Sequence, residues 1–193
     1  MDGELVIVMG KGRSARFIPQ SAAWKLAAVS EACRLAERVD WLAVNDVAAV
    51  DAMTDEDFAK AGRVIVPTKL HADPRGQTLR HWERCVRWTC PTDVYRLHTD
   101  PPEHAAKEGE PPYFGRQMST GESLVSWLLW KGFRRFAFSG VGPGNDYHPW
   151  FKPRTLKRTH THFADNWNRI RRRIKGAGGK IEDIDVLVPR EKA

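Results

Sequence analysis

The run of five apolar residues Leu-Val-Ile-Val-Met at positions 5–9 is the feature that most limits what this chain can fold into. A short, unbroken apolar run flanked by glycines is typical of a strand covered on both faces, which occurs mainly in parallel sheets. Parallel neighbours must be joined by crossover connections, and these are usually helices. The run therefore predicts an α/β protein in which residues 5–9 lie inside the sheet.

The loop after this run, Gly-Lys-Gly-Arg-Ser at positions 10–14, has features of a phosphate site. Its glycines allow a sharp turn and a close approach of the backbone to a ligand, and its serine can cap the next element. A helix that begins near Ser21 would direct its free N–H groups toward the end of the strand. The loop matches neither the dinucleotide fingerprint nor the P-loop motif, so a tight turn with solvated cations is the alternative. The predicted phosphate contacts are Gly10, Lys11, Gly12, Arg13 and Ser14.

Apolar spacing along the rest of the chain alternates between strand and helix patterns. Helices are predicted at residues 22–38, 54–61, 76–88, 123–130 and 163–175, and strands at residues 41–44, 63–66, 93–98, 133–139 and 184–188. This alternation predicts one domain, residues 1–193, with a three-layer Rossmann-like fold: a mainly parallel sheet flanked by helices.

Two segments interrupt the regular pattern. Prolines and mixed charge predict a mobile loop at about residues 100–117, and aromatic and basic residues predict a lid at about residues 142–162. In the last long helix, period 3.6 predicts an inward and an outer face. The inward residues are Trp167, Ile170 and Ile174, and the outer ones are Arg169, Arg171, Arg172 and Arg173.

The positive charge is concentrated near the C-terminal end of the sequence. The formal net charge is +7, and residues 152–175 hold nine Lys or Arg residues against one acid, Asp165. A concentrated basic segment predicts an anionic partner such as a nucleotide, a nucleic acid, a lipid head group or an acidic glycan. We predict that Arg171, Arg172 and Arg173 contact such a polyanion, and a solvated helix face is the alternative.

The composition predicts a soluble, cytoplasmic protein. No apolar run approaches the ~18 residues of a membrane span, and Asp2 and Glu4 stand where a signal peptide would be basic. The three cysteines have no disulfide-framework spacing, which favours a reducing compartment. His81, Cys85 and Cys90 lack a fourth zinc ligand, so we predict no metal site.

With these motifs in order, the chain resembles the bacterial sialyltransferase-like superfamily. That superfamily has a Rossmann-type core and includes 6-hydroxymethylpterin pyrophosphokinase-like members. The resemblance rests on the loop at positions 10–14, an Asn after the second predicted strand (Asn45), and Ser-Thr-Gly at positions 119–121 before a helix. It continues with Gly-Phe at positions 132–133, Ser-Gly at positions 139–140, and His-Thr-His at positions 160–162.

The resemblance implies a metal-independent glycosyltransferase-like enzyme that uses a nucleotide sugar as donor. In that family the histidine that opens the last helix is the general base, which implies His162, with His160 as the alternative. The implied nucleotide contacts are Asn45, Ser119, Thr120, Gly121 and Tyr147. Lys11 and Arg13 replace the Asn and Pro of the family, and two added cations would favour a more phosphate-rich ligand.

Two other functions remain open from the sequence. A pyrophosphokinase would need Mg²⁺, for which Asp46, Asp51 and Asp146 are candidate ligands. A nucleotide-binding or nucleic-acid-binding protein without turnover would use the same mixture of aromatic and basic residues in the lid.

Overall fold

The computed structural model describes residues 3–67, 92–95, 112–114, 119–143, 147–151 and 162–189. These residues form a seven-stranded parallel sheet with the spatial order β5-β4-β3-β2-β1-β6-β7. Its strands are β1 (Leu5–Met9), β2 (Trp24–Val29), β3 (Val39–Ala43), β4 (Ala61–Pro67), β5 (Thr92–Tyr95), β6 (Arg135–Ser139) and β7 (Lys180–Ile181). The described α-helices are α1 (Val47–Ala52), α2 (Asp55–Ala59), α3 (Thr120–Trp130), α4 (His162–Gly176) and α5 (Ile184–Leu187). Two 3₁₀ helices span Ser30–Leu35 and Pro149–Phe151.

The first strand lies inside the sheet, as predicted. β1 pairs with β2 on one side and with β6 on the other, and all five of its residues are buried. Leu5, Ile7 and Met9 belong to the apolar core on one face of the sheet, whereas Val6 and Val8 belong to the core on the opposite face. This division confirms the α/β fold with helical layers against a parallel sheet.

The helix predicted at residues 22–38 is wrong, and so is the helix start near Ser21. Residues 24–29 form β2, which pairs in parallel with β1 and β3, and a 3₁₀ helix follows. Ala27 is buried on one face of the sheet, and Leu26 and Ala28 are buried on the other. A strand with small apolar residues on both faces has no period-2 pattern. Its alanines extend the apolar stripe of a predicted helix, so the apolar spacing looks helical. The residues between β1 and β2 therefore form a crossover without a helix.

The strand predicted at residues 184–188 is also wrong. Ile184–Leu187 is one turn of helix, capped by Asp183, whose carboxylate accepts a 2.9 Å hydrogen bond from the Asp185 N–H. The last strand is instead β7, a two-residue strand at the sheet edge. The predicted helix at residues 76–88 and the remainder of the strand predicted at 93–98 lie outside the described residues. So do most of the predicted loop at 100–117 and much of the predicted lid at 142–162.

Helices α3 and α4 pack side by side on one face of the sheet. Ile170 and Ile174 of α4 are buried, and Trp167 packs edge-on against Phe138 of β6 with 5.0 Å between ring centroids. These contacts confirm the predicted inward face of α4. Within the described part of the chain, no helix is long and apolar enough to cross a membrane.

Three glycines join the loop after β1 to the loop after β6. The Gly10 N–H donates to the Ser139 carbonyl at 2.7 Å, and the Gly12 N–H donates to the Gly140 carbonyl at 2.8 Å. A Cβ on Gly10 or Gly12 would lie 2.5 or 2.8 Å from the Gly140 carbonyl oxygen, which is too close for any side chain. The sequence predicted that these glycines bring the backbone close to a ligand, but in the structure their close approach is to Gly140.

We expect Gly140→Ala to lower the free energy of unfolding by about 2–4 kcal/mol. Gly140 has φ +68°, and an added methyl group would overlap the carbonyl oxygen of Gly10. The matched control is Gly142→Ala, because the Cβ that alanine adds at this position would have no atom within 4 Å. Urea unfolding of both variants measures the difference, and equal stabilities would contradict the packing role of Gly140.

Candidate functional site

The carboxyl ends of the parallel strands gather the polar residues of the candidate site. The chain fills the sheet from β1 to β5 in one direction and then returns to place β6 on the other side of β1. Strand order therefore reverses between β1 and β6, and open α/β sheets bind ligands outside the carboxyl ends at such a point. The loop at residues 10–14 and Gly140 lie at this point, and Glu31, Asn45 and Tyr95 lie along the same edge.

The loop after β1 is tied to the segment at residues 147–151. Gly12 and Tyr147 form an antiparallel bridge, and the His148 N–H donates to the Lys11 carbonyl at 2.8 Å. The Lys11 ammonium lies 5.7 Å from the centre of the Tyr147 ring. The structure thus brings Lys11, Gly12 and Tyr147 together, three residues that the sequence proposed for the same site.

Lys11 is also paired with an acid that the sequence analysis missed. Its Nζ lies 3.0 Å from Glu31 Oε2, and the other Glu31 oxygen accepts a 3.2 Å hydrogen bond from Arg34. Arg34 in turn donates two hydrogen bonds, of 2.8 and 2.6 Å, to the Asp57 carboxylate. Burial favours the neutral form of Asp57, but hydrogen bonds from Arg34 and Thr54 outweigh it, and the pKa of Asp57 is lowered.

The charges around Tyr147 are of both signs. Burial raises the pKa of the Tyr147 hydroxyl, and the negative charges of Asp46 and Glu31 raise it further. Asp46 caps α1, since its carboxylate accepts a 2.8 Å hydrogen bond from the Ala49 N–H. The hydroxyl of Tyr147 therefore stays protonated at neutral pH and can donate a hydrogen bond.

Asn45 belongs to a buried polar network that joins three elements. The Tyr95 hydroxyl of β5 donates to Asn45 Oδ1, and Asn45 Nδ2 donates to the Ser123 hydroxyl of α3 at 3.0 Å. All three residues are buried, and burial raises the pKa of the Tyr95 hydroxyl far above its ordinary value. The side chain of Asn45 thus has partners within the protein, and its predicted contact with a nucleotide stays a prediction.

Residues 119–121 begin α3 at the same edge of the sheet. The Ser119 hydroxyl accepts a 3.2 Å hydrogen bond from the Glu122 N–H and so serves as the helix N-cap. Thr120 and Gly121 occupy the first turn and are half-buried, with Gly121 near Val29 at the end of β2. Arg13 and Ser14 are exposed at the outer side of the loop after β1.

Two arginines of the predicted outer face of α4 are paired with an acid of α3. Glu122 is buried at the start of α3, and its two oxygens accept hydrogen bonds from Arg169 at 3.0 Å and Arg173 at 3.1 Å. These two arginines face α3 because a buried carboxylate there requires compensating charge. Arg171, Arg172 and Arg173 are all exposed, and their predicted contact with a polyanion stays a prediction.

The two candidate histidines are described only in part. α4 begins at His162, as predicted, and its side chain lies outside the described residues, as does the whole of His160. At ~1.5 Å per residue, His162 lies about 12 Å along the helix axis from Ile170, in the direction of the carboxyl edge of the sheet.

Metal-ligating side chains do not converge in the part of the chain that the structure describes. No group of three His, Cys, Asp or Glu residues is found there that could hold an ion. Of the three candidate Mg²⁺ ligands, Asp46 caps α1, Asp51 lies on α1, and Asp146 lies outside the described residues.

Comparison with known proteins gives information on the fold. No family model matches the chain, and no curated protein matches it. Among solved structures, the sialyltransferase CstII from Campylobacter jejuni, solved in complex with the substrate analogue CMP-3FNeuAc, superposes with a TM-score of 0.52. The match covers 94% of this chain and 81% of CstII, with 8% sequence identity. The chain therefore shares the Rossmann-like α/β fold of a sialyltransferase over nearly its whole length.

Proposed function

We propose that this chain is a glycosyltransferase-like enzyme that uses a nucleotide sugar as donor and needs no metal ion. The observation that carries the proposal is the similarity of fold to a sialyltransferase that was solved with a CMP-sugar analogue. The fold alone does not determine chemistry. The polar residues at the carboxyl edge, at the point where strand order reverses, supply a site for such a donor.

The proposed donor site divides into a phosphate side and a nucleoside side. Because the Gly10 and Gly12 N–H groups already donate to β6 and its loop, phosphate contacts come from the side chains of Lys11, Arg13 and Ser14. Ser119, Thr120 and Gly121 at the start of α3, next to Asn45, hold the base and the ribose. The Tyr147 hydroxyl donates a hydrogen bond to the leaving phosphate. His162 or His160 deprotonates the acceptor.

We expect a nucleotide or nucleotide sugar to raise the melting temperature of the protein. A ligand at 100 times its Kd adds about 2.7 kcal/mol to the free energy of unfolding, which corresponds to about 5–10 °C. Tyr147→Phe removes one hydrogen bond and is expected to weaken binding about tenfold. Thermal unfolding with cytidine, uridine and guanosine mono-, di- and triphosphates and their sugars is the measurement. A wild-type protein that none of these ligands stabilises would contradict the proposed function.

For the general base, we expect His162→Ala to lower turnover at least ~10²-fold while the donor Kd changes by no more than a few fold. The measurement is release of free nucleotide from CMP-, UDP- and GDP-sugars. His148→Ala is the control, since the His148 Nδ1 already accepts a 3.3 Å hydrogen bond from the Trp150 N–H. A loss on His160→Ala alone would move the role to His160. Loss of turnover with EDTA would favour the Mg²⁺-dependent pyrophosphokinase alternative.

The polyanion proposal concerns Arg171, Arg172 and Arg173. Because Arg173 is also paired with Glu122, two double variants separate binding from stability. Replacing Arg171 and Arg172 with Ala is expected to weaken binding to heparin or DNA at ~50 mM salt without lowering stability. Replacing Arg169 and Arg173 with Ala is expected to cost about 2 kcal/mol of stability, because Glu122 would stay buried without its partners. Heparin chromatography and urea unfolding measure the two effects. If the first variant binds heparin and DNA as well as the wild type does, these arginines form a solvated helix face without a polyanion contact.

A further inference from the structure

Lys11, one of the two cations that the sequence predicted as phosphate contacts, is paired with an acid. Lys11 and Glu31 are 3.0 Å apart, and their side chains are only 24% and 20% exposed. Partial burial reduces screening by water and salt, so each charge strongly affects the potential that a ligand meets at the other. Lys11 therefore presents much less positive charge to a ligand than the sequence suggests.

The position of Glu31 is fixed by Arg34 as well as by Lys11. One of its oxygens accepts from Lys11 and the other from Arg34, and Arg34 is fixed by two hydrogen bonds to Asp57. Asp57 is itself part of the capping box of α2, with Thr54. The row Lys11–Glu31–Arg34–Asp57 thus runs from the donor edge to a helix start, and Glu31 has little freedom to swing away from Lys11.

The other charges of the loop do not make the edge basic. Arg13 is the second cation of the loop, and Asp46 is a second acid whose charge reaches Tyr147. Besides burial, two acids, Asp46 and Glu31, thus raise the pKa of Tyr147, whose ring Lys11 contacts, and Arg13 follows in the same loop. A balanced edge favours a ligand with few negative charges over one with many, because each added phosphate meets the two carboxylates as well as the two cations.

We propose that Glu31 is a specificity-determining residue that limits how many phosphate groups the donor site accepts. By neutralising Lys11, it favours a donor whose nucleotide carries a single phosphate over one that carries a diphosphate. This proposal rests on the proposed function, since it assigns the phosphate count of the same donor. It reverses the expectation, drawn from Lys11 and Arg13 alone, of a phosphate-rich ligand.

The test measures the affinities for CMP, CDP and CTP, so that only the number of phosphates changes. Isothermal calorimetry on the full chain is expected to show that Glu31→Gln raises the affinity for CTP relative to CMP about tenfold. Lys11→Met is expected to lower this ratio, and Lys11→Met combined with Glu31→Gln to return it to within about threefold of the wild-type value. Glu37→Gln makes the same chemical change in an exposed acid just after the same 3₁₀ helix. This control is expected to leave the ratio within about twofold.

The possible results separate this proposal from the proposed function. If Glu31→Gln changes the affinities for CMP, CDP and CTP by one common factor, Glu31 has only a structural role and the specificity proposal is overturned. A raised ratio that persists after Lys11 is also replaced overturns it as well, because Lys11 would not be the mediator. A wild-type protein that binds none of these nucleotides, their uridine and guanosine counterparts or their sugars overturns both proposals. Nucleotide binding with an unchanged ratio overturns the specificity proposal alone.

Discussion

The contact between the backbone of Gly140 and that of Gly10 and Gly12 fixes the geometry of the candidate site. Two loops that leave adjacent parallel strands are joined by backbone hydrogen bonds, with no room for a side chain between them. The bridge from Gly12 to Tyr147 and the hydrogen bond from His148 to Lys11 extend this contact to the segment after β6. Lys11 and Tyr147 are therefore held close to each other by the main chain, and the side chains add to an arrangement that already exists.

Buried and half-buried acids decide which cations are available to ligands. Glu31 is ion-paired with Lys11, and Asp57 with Arg34. Glu122 is ion-paired with both Arg169 and Arg173. Each acid lies near the carboxyl edge of the sheet or at a helix start, where desolvation makes an unpaired carboxylate costly. A sequence with a formal charge of +7 can consequently hold part of its positive charge in ion pairs near this edge while Arg171 and Arg172 remain exposed on α4.

The similarity of fold and the dissimilarity of sequence have different meanings. With 8% identity, the likeness to a sialyltransferase shows a shared fold, in which a parallel sheet is buried between helical layers. The donor specificity that we propose rests instead on a few side chains at the strand ends, among them Lys11, Glu31 and Tyr147. The loop after β1 needs glycine at positions 10 and 12 because Gly140 packs against it.

The sequence alone determined the features that depend on local pattern. The unbroken apolar run at residues 5–9 predicted an interior strand, period 3.6 predicted the buried face of α4, and the start of α4 was predicted near His162. Tertiary structure decided the features that depend on distant partners. Residues 24–29 became a strand because β1 and β3 offered parallel pairing, although their alanines favour a helix in isolation. Asn45 forms hydrogen bonds with Tyr95 and Ser123, and Lys11 with Glu31. These partners are far apart in the chain, and they meet because parallel strands bring their carboxyl ends to one edge of the sheet.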